Sequence, residues 1–430
     1  MSDNIICLID MKAFYASIEC VERGLNPMTT KLVVTDTERK ESTIVLSVSH
    51  ALKELGVPSR CRRKEIPSNI KDIIYAVPQM EKYVKKSAEI ISIFLDFVGE
   101  DDLHIYSIDE CFLNLGPYLK LYNLSPRDLV KKILDTIKEK TGLIATAGIG
   151  PNMFLAKVAD DIEAKKNKDY IAQWTIDDVK NKLWKIKPLN KMWGISIGYM
   201  TKLNNLGIYS VKDLATYDKE ILKDKFGILG EELHNLANGI DESNIREKYT
   251  PINKGISIGQ VLMRDYSKEE IPLIIKEMND ELSIRLRKLN KNINCVHLMI
   301  GYANDKIEGF SRQCQLLTPT SSNKEIYKSL MYLYNKFVLD EPIRRVGISY
   351  TDLRNKCNTQ LSLFDDYEEI VNEQEMYKAL DEIKEKYGNN SILRTSSLTK
   401  SSTIKERHNQ IGGHRKWAIE EWKNGFHLVL

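Results

Sequence analysis

At 430 residues, with 42% hydrophobic and 29% charged residues, the chain is too long for one ordinary core and too apolar for wholesale disorder. Its 63 basic and 60 acidic residues nearly cancel, so the formal charge of +3 neither identifies nor excludes a polyanionic partner, and any such footprint must be local. No run approaches the ~20 consecutive apolar residues of a membrane helix, and acids rather than basic residues flank the first short apolar stretch, so the expected location is the cytoplasm.

The first apolar run, 5–9, is β-like and stops at Asp10; Phe14, Ser17, Ile18 and Val21 then repeat with the period of a helix face. Residues 31–35 and 43–48 read as strands, and 51–55 as a short helix halted by Gly56 and Pro58, giving a small α+β lobe. Beyond Pro78 an amphipathic helix is predicted over 80–98, then strands at 104–107 and 111–115 joined through Asp109 and Glu110 at a tight hairpin. A helix over 126–141, a strand over 144–150 and a helix over 152–164 continue the alternation. Lys165-Lys166-Asn167-Lys168 interrupts it, and the stretch to about Gly239 reads as all-helical with short glycine turns.

A polar segment, 241–254, carries Pro251 and reads as a linker. Another α+β unit follows, with a strand at 255–263, a helix at 269–289 and strands near 294–301, 309–317 and 344–353. Between 244 and 356 there are 19 basic and 13 acidic residues, a local excess that the whole-chain charge conceals. After Lys356 come Gln360-Leu361-Ser362-Leu363-Phe364, a run of acids, a helical stretch and a Ser/Thr-rich segment at 395–403. The seven cysteines are scattered and never form a Cys-x-x-Cys pair, which indicates neither a disulfide framework nor zinc. The expected class is α+β in three or four compact units.

A strand ending in Asp10 and a hairpin carrying Asp109 and Glu110 can set three carboxylates side by side, although the sequence separates them widely. Packed carboxylates raise one another's pKa and are normally held together by cations. Oxygen-only ligands favour magnesium or manganese over zinc. Two such ions about 4 Å apart suit phosphoryl transfer. The same letters also fit an acidic β-turn and a helix N-cap, both ordinary uses of these residues.

The surrounding residues add a resemblance. Asp10-Met11-Lys12-Ala13-Phe14-Tyr15-Ala16-Ser17-Ile18-Glu19, together with Tyr106-Ser107-Ile108-Asp109-Glu110, resembles the two signature motifs of the Y-family translesion DNA polymerases, nearest the UmuC-like branch. The likeness extends over most of residues 1–365 and is strong again at Gly148 to Lys157. It implies a right-hand polymerase: palm at 1–22 and 78–165, fingers at 23–77, and a thumb with a helix-hairpin-helix at 166–240. A linker at 241–254, a little finger at 255–356 and a tail at 357–430 complete it.

By the same resemblance Asp10, Asp109, Glu110 and the Met11 carbonyl hold two Mg2+ ions, for which Mn2+ can substitute. Tyr15 becomes the steric gate against a ribose 2′-OH, and Phe14, Tyr15, His50, Lys53 and Lys165 meet the dNTP. Where the family usually carries tyrosine and arginine on the fingers, this chain has His50 and Lys53. Lysine keeps the charge but loses the bidentate fork, and histidine donates fully only when protonated.

The run Trp193-Gly194-Ile195-Ser196-Ile197-Gly198, with Leu206-Gly207-Ile208, resembles the thumb hairpin; Gly194, Ile195 and Gly198 would bring backbone N–H groups to a DNA phosphate. Ser257 and Gly259 lie on the strand that opens the little finger, where a basic sheet would ride on the DNA backbone. Gln360, Leu361, Leu363 and Phe364 are similar to the pentapeptide that bacterial polymerases insert into the sliding clamp. The implied partners are primed DNA, dNTP, the clamp and accessory subunits of the UmuC type. Two rival readings fit parts of the pattern: another two-metal enzyme on a palm-like fold, such as a nucleotide cyclase or nuclease, and an inactive DNA- and clamp-binding accessory.

Overall fold

The computed structural model describes residues 4–39, 41–247, 255–356 and 367–416, and divides into two units, Met1–Tyr249 and Thr250–Leu430. The first unit contains β1 (Ile6–Met11), α1 (Phe14–Glu22), β2 (Leu32–Val34), β3 (Ser47–Val48), α2 (His50–Glu54), β4 (Ile74–Ala76) and α3 (Met80–Leu95). It continues through β5 (Leu103–Ile105), β6 (Glu110–Asn114), α4 (Leu119–Tyr122), α5 (Pro126–Thr141), β7 (Ala145–Gly150), α6 (Met153–Ile162) and β8 (Ile171–Gln173). Helices α7 (Asp178–Asn181), α8 (Ile197–Asn204), α9 (Val211–Thr216), α10 (Lys219–Phe226) and α11 (Ile228–Ala237) close it.

β1 is buried along its length except at Asp10, the pattern of a strand covered on both faces. It forms the middle of the sheet β5-β6-β1-β7-β8, antiparallel to both β6 and β7. Ile6, Leu8, Phe112 and Ala156 pack together against one face. A smaller sheet, β3-β2-β4, organises residues 32–76 around Val33, Val48 and Leu52.

Three sequence expectations need correction. Residues 166–239 are not all helical, because β8 pairs parallel to β7 and extends the central sheet. Ile171–Gln173 is too short to show a period, and what makes it a strand is its partner together with the burial of Ile171, Ala172 and Trp174. The strand expected over 43–48 shrinks to Ser47–Val48 plus an isolated bridge between Ile44 and Arg62; Ile44 is β-branched but 58% exposed.

The predicted linker, finally, is fastened over its first part. Asp241 accepts a hydrogen bond from the Phe154 N–H at 2.8 Å, and Arg246 grips Asp102 with two bonds of 2.8 and 2.9 Å. Asp102 also accepts from Asn114 and Tyr118, both at 3.0 Å.

The glycines of β7 set how close α6 comes. A Cβ at Gly148 would lie 2.0 Å from the Ala156 carbonyl oxygen and 2.4 Å from the Asp160 nitrogen, and one at Gly150 2.6 Å from the Ala156 nitrogen. Helix backbone therefore rests directly on strand backbone, which brings the charged face of α6 towards β1. Gly148→Ala is expected to lower stability by about 3 kcal/mol through overpacking. At roughly 2–4 °C per kcal/mol, thermal unfolding followed by circular dichroism should shift down by roughly 6–12 °C; an unchanged midpoint would contradict this packing.

The second unit holds β9 (Ile256–Tyr266), α12 (Ile271–Lys288), β10 (Lys291–Tyr302), β11 (Phe310–Thr320), α13 (Asn323–Phe337) and β12 (Ile343–Asn355). Its sheet order is β11-β10-β12-β9, all antiparallel. Ile274, Met278, Leu282 and Leu330 from the helices pack with Val296, Leu298, Val346 and Ile348 from the strands. Helices α14 (Tyr367–Tyr387) and α15 (Ile404–His408) and the hairpin β13 (Gln410–Ile411) and β14 (His414–Arg415) follow.

These last elements are packed rather than trailing. Arg287 makes a bidentate pair with Asp381 at 2.7 and 2.9 Å, and Arg407, 7% exposed, bonds Glu281 and Gln260, each at 2.9 Å. Ser402 donates to buried Glu277 at 2.6 Å, so the Ser/Thr-rich stretch supplies hydroxyls to the acids of α12. No helix among the described residues is long and apolar enough to cross a membrane.

Candidate active site

Strand register carries the acids to one place. Asp10 is the direct cross-strand partner of Glu110, and the Met11 N–H donates to the Asp109 carbonyl at 3.0 Å. The turn before β6 is tight, since the N–H groups of Tyr106 and Ser107 both donate to the Glu110 carbonyl at 3.0 Å. Ser107 Oγ donates to Asp109 Oδ1 at 2.7 Å, and Ser87 Oγ, on α3, donates to the Ile108 carbonyl at 2.7 Å. Burial pushes the carboxyls of Asp10 and Asp109 above their ordinary range, and their neighbouring acids add to the push.

Helix α6 and the turn that follows it answer this charge. Lys157 Nζ lies 2.5 Å from Glu110 Oε1 and 3.3 Å from Asp161, while Lys165 Nζ lies 2.6 Å from Asp10, 2.7 Å from Asp161 and 3.3 Å from Asp160. Burial opposes a charge on Lys165, but Asp10 and Asp160 outweigh it and hold its pKa well above the usual lysine range. Asp160 is wholly buried, and burial pushes its carboxyl up to about 6.

Five carboxylates thus meet two ammonium groups. Among the described residues, Asp10, Asp160 and Asp161 offer oxygens within 4.8 Å of one another; Asp109 and Glu110 face Ser107 and Lys157 instead. The donor set is hard oxygen, its charge is disfavoured by burial, and a cationic side chain sits against Asp10. That chemistry fits a hard divalent cation.

Beside the acids, Ala13 adopts a left-handed conformation (φ 47°) and offers no capping side chain; Ser47 Oγ accepts from the Ala16 N–H at 3.3 Å, which leaves the Phe14 and Tyr15 N–H groups for an anion. Phe14 is only 3% exposed, so its ring belongs to the core, whereas Tyr15 is half-buried with its ring centroid 4.7 Å from that of Tyr83. Burial lowers the pKa of Lys53, and the charges of Asp10 and Asp109 oppose that lowering. Burial also holds His50 below the usual imidazole value, with Lys12 adding to the effect, and its Nε2 lies 3.2 Å from Glu54.

Gly194 (φ 91°) and Gly198 are exposed at the start of α8, but Ile195 is 5% exposed, so only its backbone can reach a phosphate. Ser257 and Gly259 are exposed on β9, and the following residues Gln260 and Leu262 are buried. Residues 360–364 lie outside the described residues. Sequence reasoning passed over Lys157, Asp160 and Asp161. Their spacing on one helix was the available signal, but only the close approach of α6 to β7 turns that face towards Asp10.

Comparison with known proteins identifies the family. The model of the impB/mucB/samB family matches residues 9–161, and that of its C-terminal domain matches residues 253–363. A protein named for UV-damage repair, UvrX of Bacillus subtilis (strain 168), is 40% identical over 96% of this chain and 97% of its own. DNA polymerase IV 2 of the same organism is 33% identical over 97% of this chain and 100% of its own. DNA polymerase IV of Pelotomaculum thermopropionicum is 30% identical over 96% and 98%.

A Y-family DNA polymerase chimera, Dbh-Dpo4(243-245)-Dbh, shares the fold, with a TM-score of 0.65 at 19% identity over 82% of this chain and all of its own. Fold and sequence together define a DNA-directed DNA polymerase of the α+β, right-hand type. The chain belongs to the impB/mucB/samB family, the Y-family polymerases of the UmuC and DinB kind.

Proposed function

We propose that this polymerase copies damaged DNA with low fidelity, joining a nucleotide from dNTP to a primer 3′-OH at a site where Asp10, the Met11 carbonyl, Asp109 and Glu110 hold two divalent ions, Mg2+ or Mn2+. The observation that carries the reading is the stitching of β1 to the acidic turn, through the Asp10–Glu110 register and the bond from the Met11 N–H to Asp109. Bound ions would lower the pKa of the attacking hydroxyl and neutralise the leaving pyrophosphate.

The chain's own residues do the rest. The Phe14 and Tyr15 N–H groups at the start of α1, with Lys53 and Lys165, receive the triphosphate, and His50 contributes from the start of α2. Tyr15 blocks a 2′-OH. The glycine turns at Gly194 and Gly198 and the exposed row at Ser257 and Gly259 hold DNA through its backbone, without reading sequence. Gln360, Leu361, Leu363 and Phe364 dock into the sliding clamp. The likeness to UvrX supports a role in tolerance of UV damage, work that suits a cytoplasmic protein. Membership of a polymerase family disfavours a cyclase or nuclease.

Primer extension tests the reading directly. The purified chain should add dNTPs to a primed template in Mg2+, continue past a UV photoproduct, and gain processivity from a bacterial sliding clamp only while residues 360–364 are present. No extension of an undamaged template would leave the inactive-accessory reading standing instead.

A further inference from the structure

A buried acid on α1 takes no part in the chemistry described so far. Glu19 is 0% exposed, one helical turn beyond Tyr15, and both of its carboxylate oxygens are engaged. Tyr83 donates its hydroxyl to Oε1 at 2.7 Å, and Gln79 Nε2 donates to the same oxygen at 3.1 Å. Arg23 forms an ion pair with Oε2 and donates to the Glu19 carbonyl at 2.7 Å.

Tyr83, on α3, is itself 0% exposed, and its ring packs on Tyr15 with centroids 4.7 Å apart and planes inclined by 33°. Burial, and then the Glu19 charge, push the Tyr83 phenol far above its ordinary range, so it remains a neutral donor.

A fully buried charge is a costly way to fill space, because apolar residues of similar volume are often as stable. What the carboxylate adds is direction. A tyrosine has two side-chain torsions, and a hydrogen bond at its far end to an acid that is itself held by Gln79 and Arg23 fixes both. The Tyr83 ring is then a rigid wall behind Tyr15. A residue that tells ribose from deoxyribose must resist one extra oxygen, and a ring free to retreat by a fraction of an ångström cannot do so.

We propose that Glu19 and Tyr83 are positioning residues for sugar selection, holding the Tyr15 ring at the depth where it rejects a ribonucleotide. The proposal rests on Tyr15 acting as the gate. The carboxylate reaches Tyr15 through Tyr83, and Gln79 and Arg23 keep that carboxylate oriented.

Single-nucleotide insertion, with kcat and KM measured separately for dNTP and rNTP, tests it in Tyr83→Phe, Tyr83→Leu and Glu19→Gln. Tyr83→Leu removes the wall and should raise the rNTP-to-dNTP efficiency ratio on the order of tenfold, chiefly through a lower rNTP KM. Tyr83→Phe keeps the ring and loses the anchoring bond, and Glu19→Gln keeps the shape and loses the charge; each should raise the ratio by a smaller factor.

In a Tyr15→Ala background, adding Tyr83→Leu should leave the ratio where Tyr15→Ala alone puts it, because there is no longer a ring to hold. If Tyr83→Leu does not fold, Tyr83→Phe and Glu19→Gln carry the same comparison. Equal losses for both sugars in these variants would overturn the proposal, showing a network that only supports the core. A ratio unmoved by Tyr15→Ala would instead remove the gate itself, a failure visible before any Tyr83 variant is measured.

Discussion

Asp109→Asn is expected to slow templated primer extension by at least about 10^3-fold while leaving the metal-free protein as stable as the wild type, or more so. The rate follows from electrostatics: a metal-centred site supplies several kcal/mol of transition-state charge stabilisation, and each 1.36 kcal/mol or so is tenfold in rate.

The stability follows from the direction of the pKa shift. Burial raises the Asp109 carboxyl, with Ser107 opposing and Asp10 adding. A carboxyl whose folded pKa lies above its unfolded value weakens the fold at pH values above that range, and the penalty is relieved as pH falls through the folded pKa. Asparagine removes the charge and keeps an oxygen to accept from Ser107 Oγ. Single-turnover extension beside thermal unfolding, each with and without Mg2+, separates the two effects. Wild-type protein should gain stability from Mg2+ by mass action and the variant should gain less. Extension within tenfold of wild type would remove Asp109 from the site.

How much of this site was legible beforehand depended on the range of the interaction. Asp10 and Glu110 could be paired on paper because a strand and a hairpin have simple registers, and the structure makes them direct partners. Lys165 shows the limit of such reasoning. The family resemblance made it a candidate for the triphosphate, but nothing in the sequence discloses that its ammonium lies 2.6 Å from Asp10, a contact set by how deeply α6 sits on Gly148 and Gly150.

Strand β8 escaped for a related reason, since three residues carry no period and only β7 makes them a strand. Arg246, read as part of a polar linker, is committed to Asp102, 144 residues earlier in the chain. Its letters gave no hint of that partner, because an arginine in a polar stretch is most often solvated. Glu19 was visible within a motif, but its burial and its bond to Tyr83 belong to tertiary structure.

Tyr15→Ala should raise the efficiency of ribonucleotide insertion relative to deoxyribonucleotide by about 100-fold, the scale on which a site without built-in repulsion tolerates an added hydroxyl. Tyr15 stands half-buried at the start of α1, its ring against that of Tyr83. Loss of the aromatic pair should lower stability by about 0.5–1.5 kcal/mol, too little to unfold the chain, so the effect reads as selectivity.

Tyr15→Phe keeps the bulk and should keep the discrimination. The phenol plays no acid–base part in this account: burial, and then Asp109, push its pKa upward, and it stays neutral through the physiological range. The ratio should therefore be flat between neutral and mildly alkaline pH even as absolute rates change with the carboxylates. Alkali-sensitive cleavage of the extended primer would count the inserted ribonucleotides. A selectivity that collapsed in Tyr15→Phe, or that moved with pH while the ring was intact, would show that a hydrogen bond from the hydroxyl, not the wall of the ring, chooses the sugar.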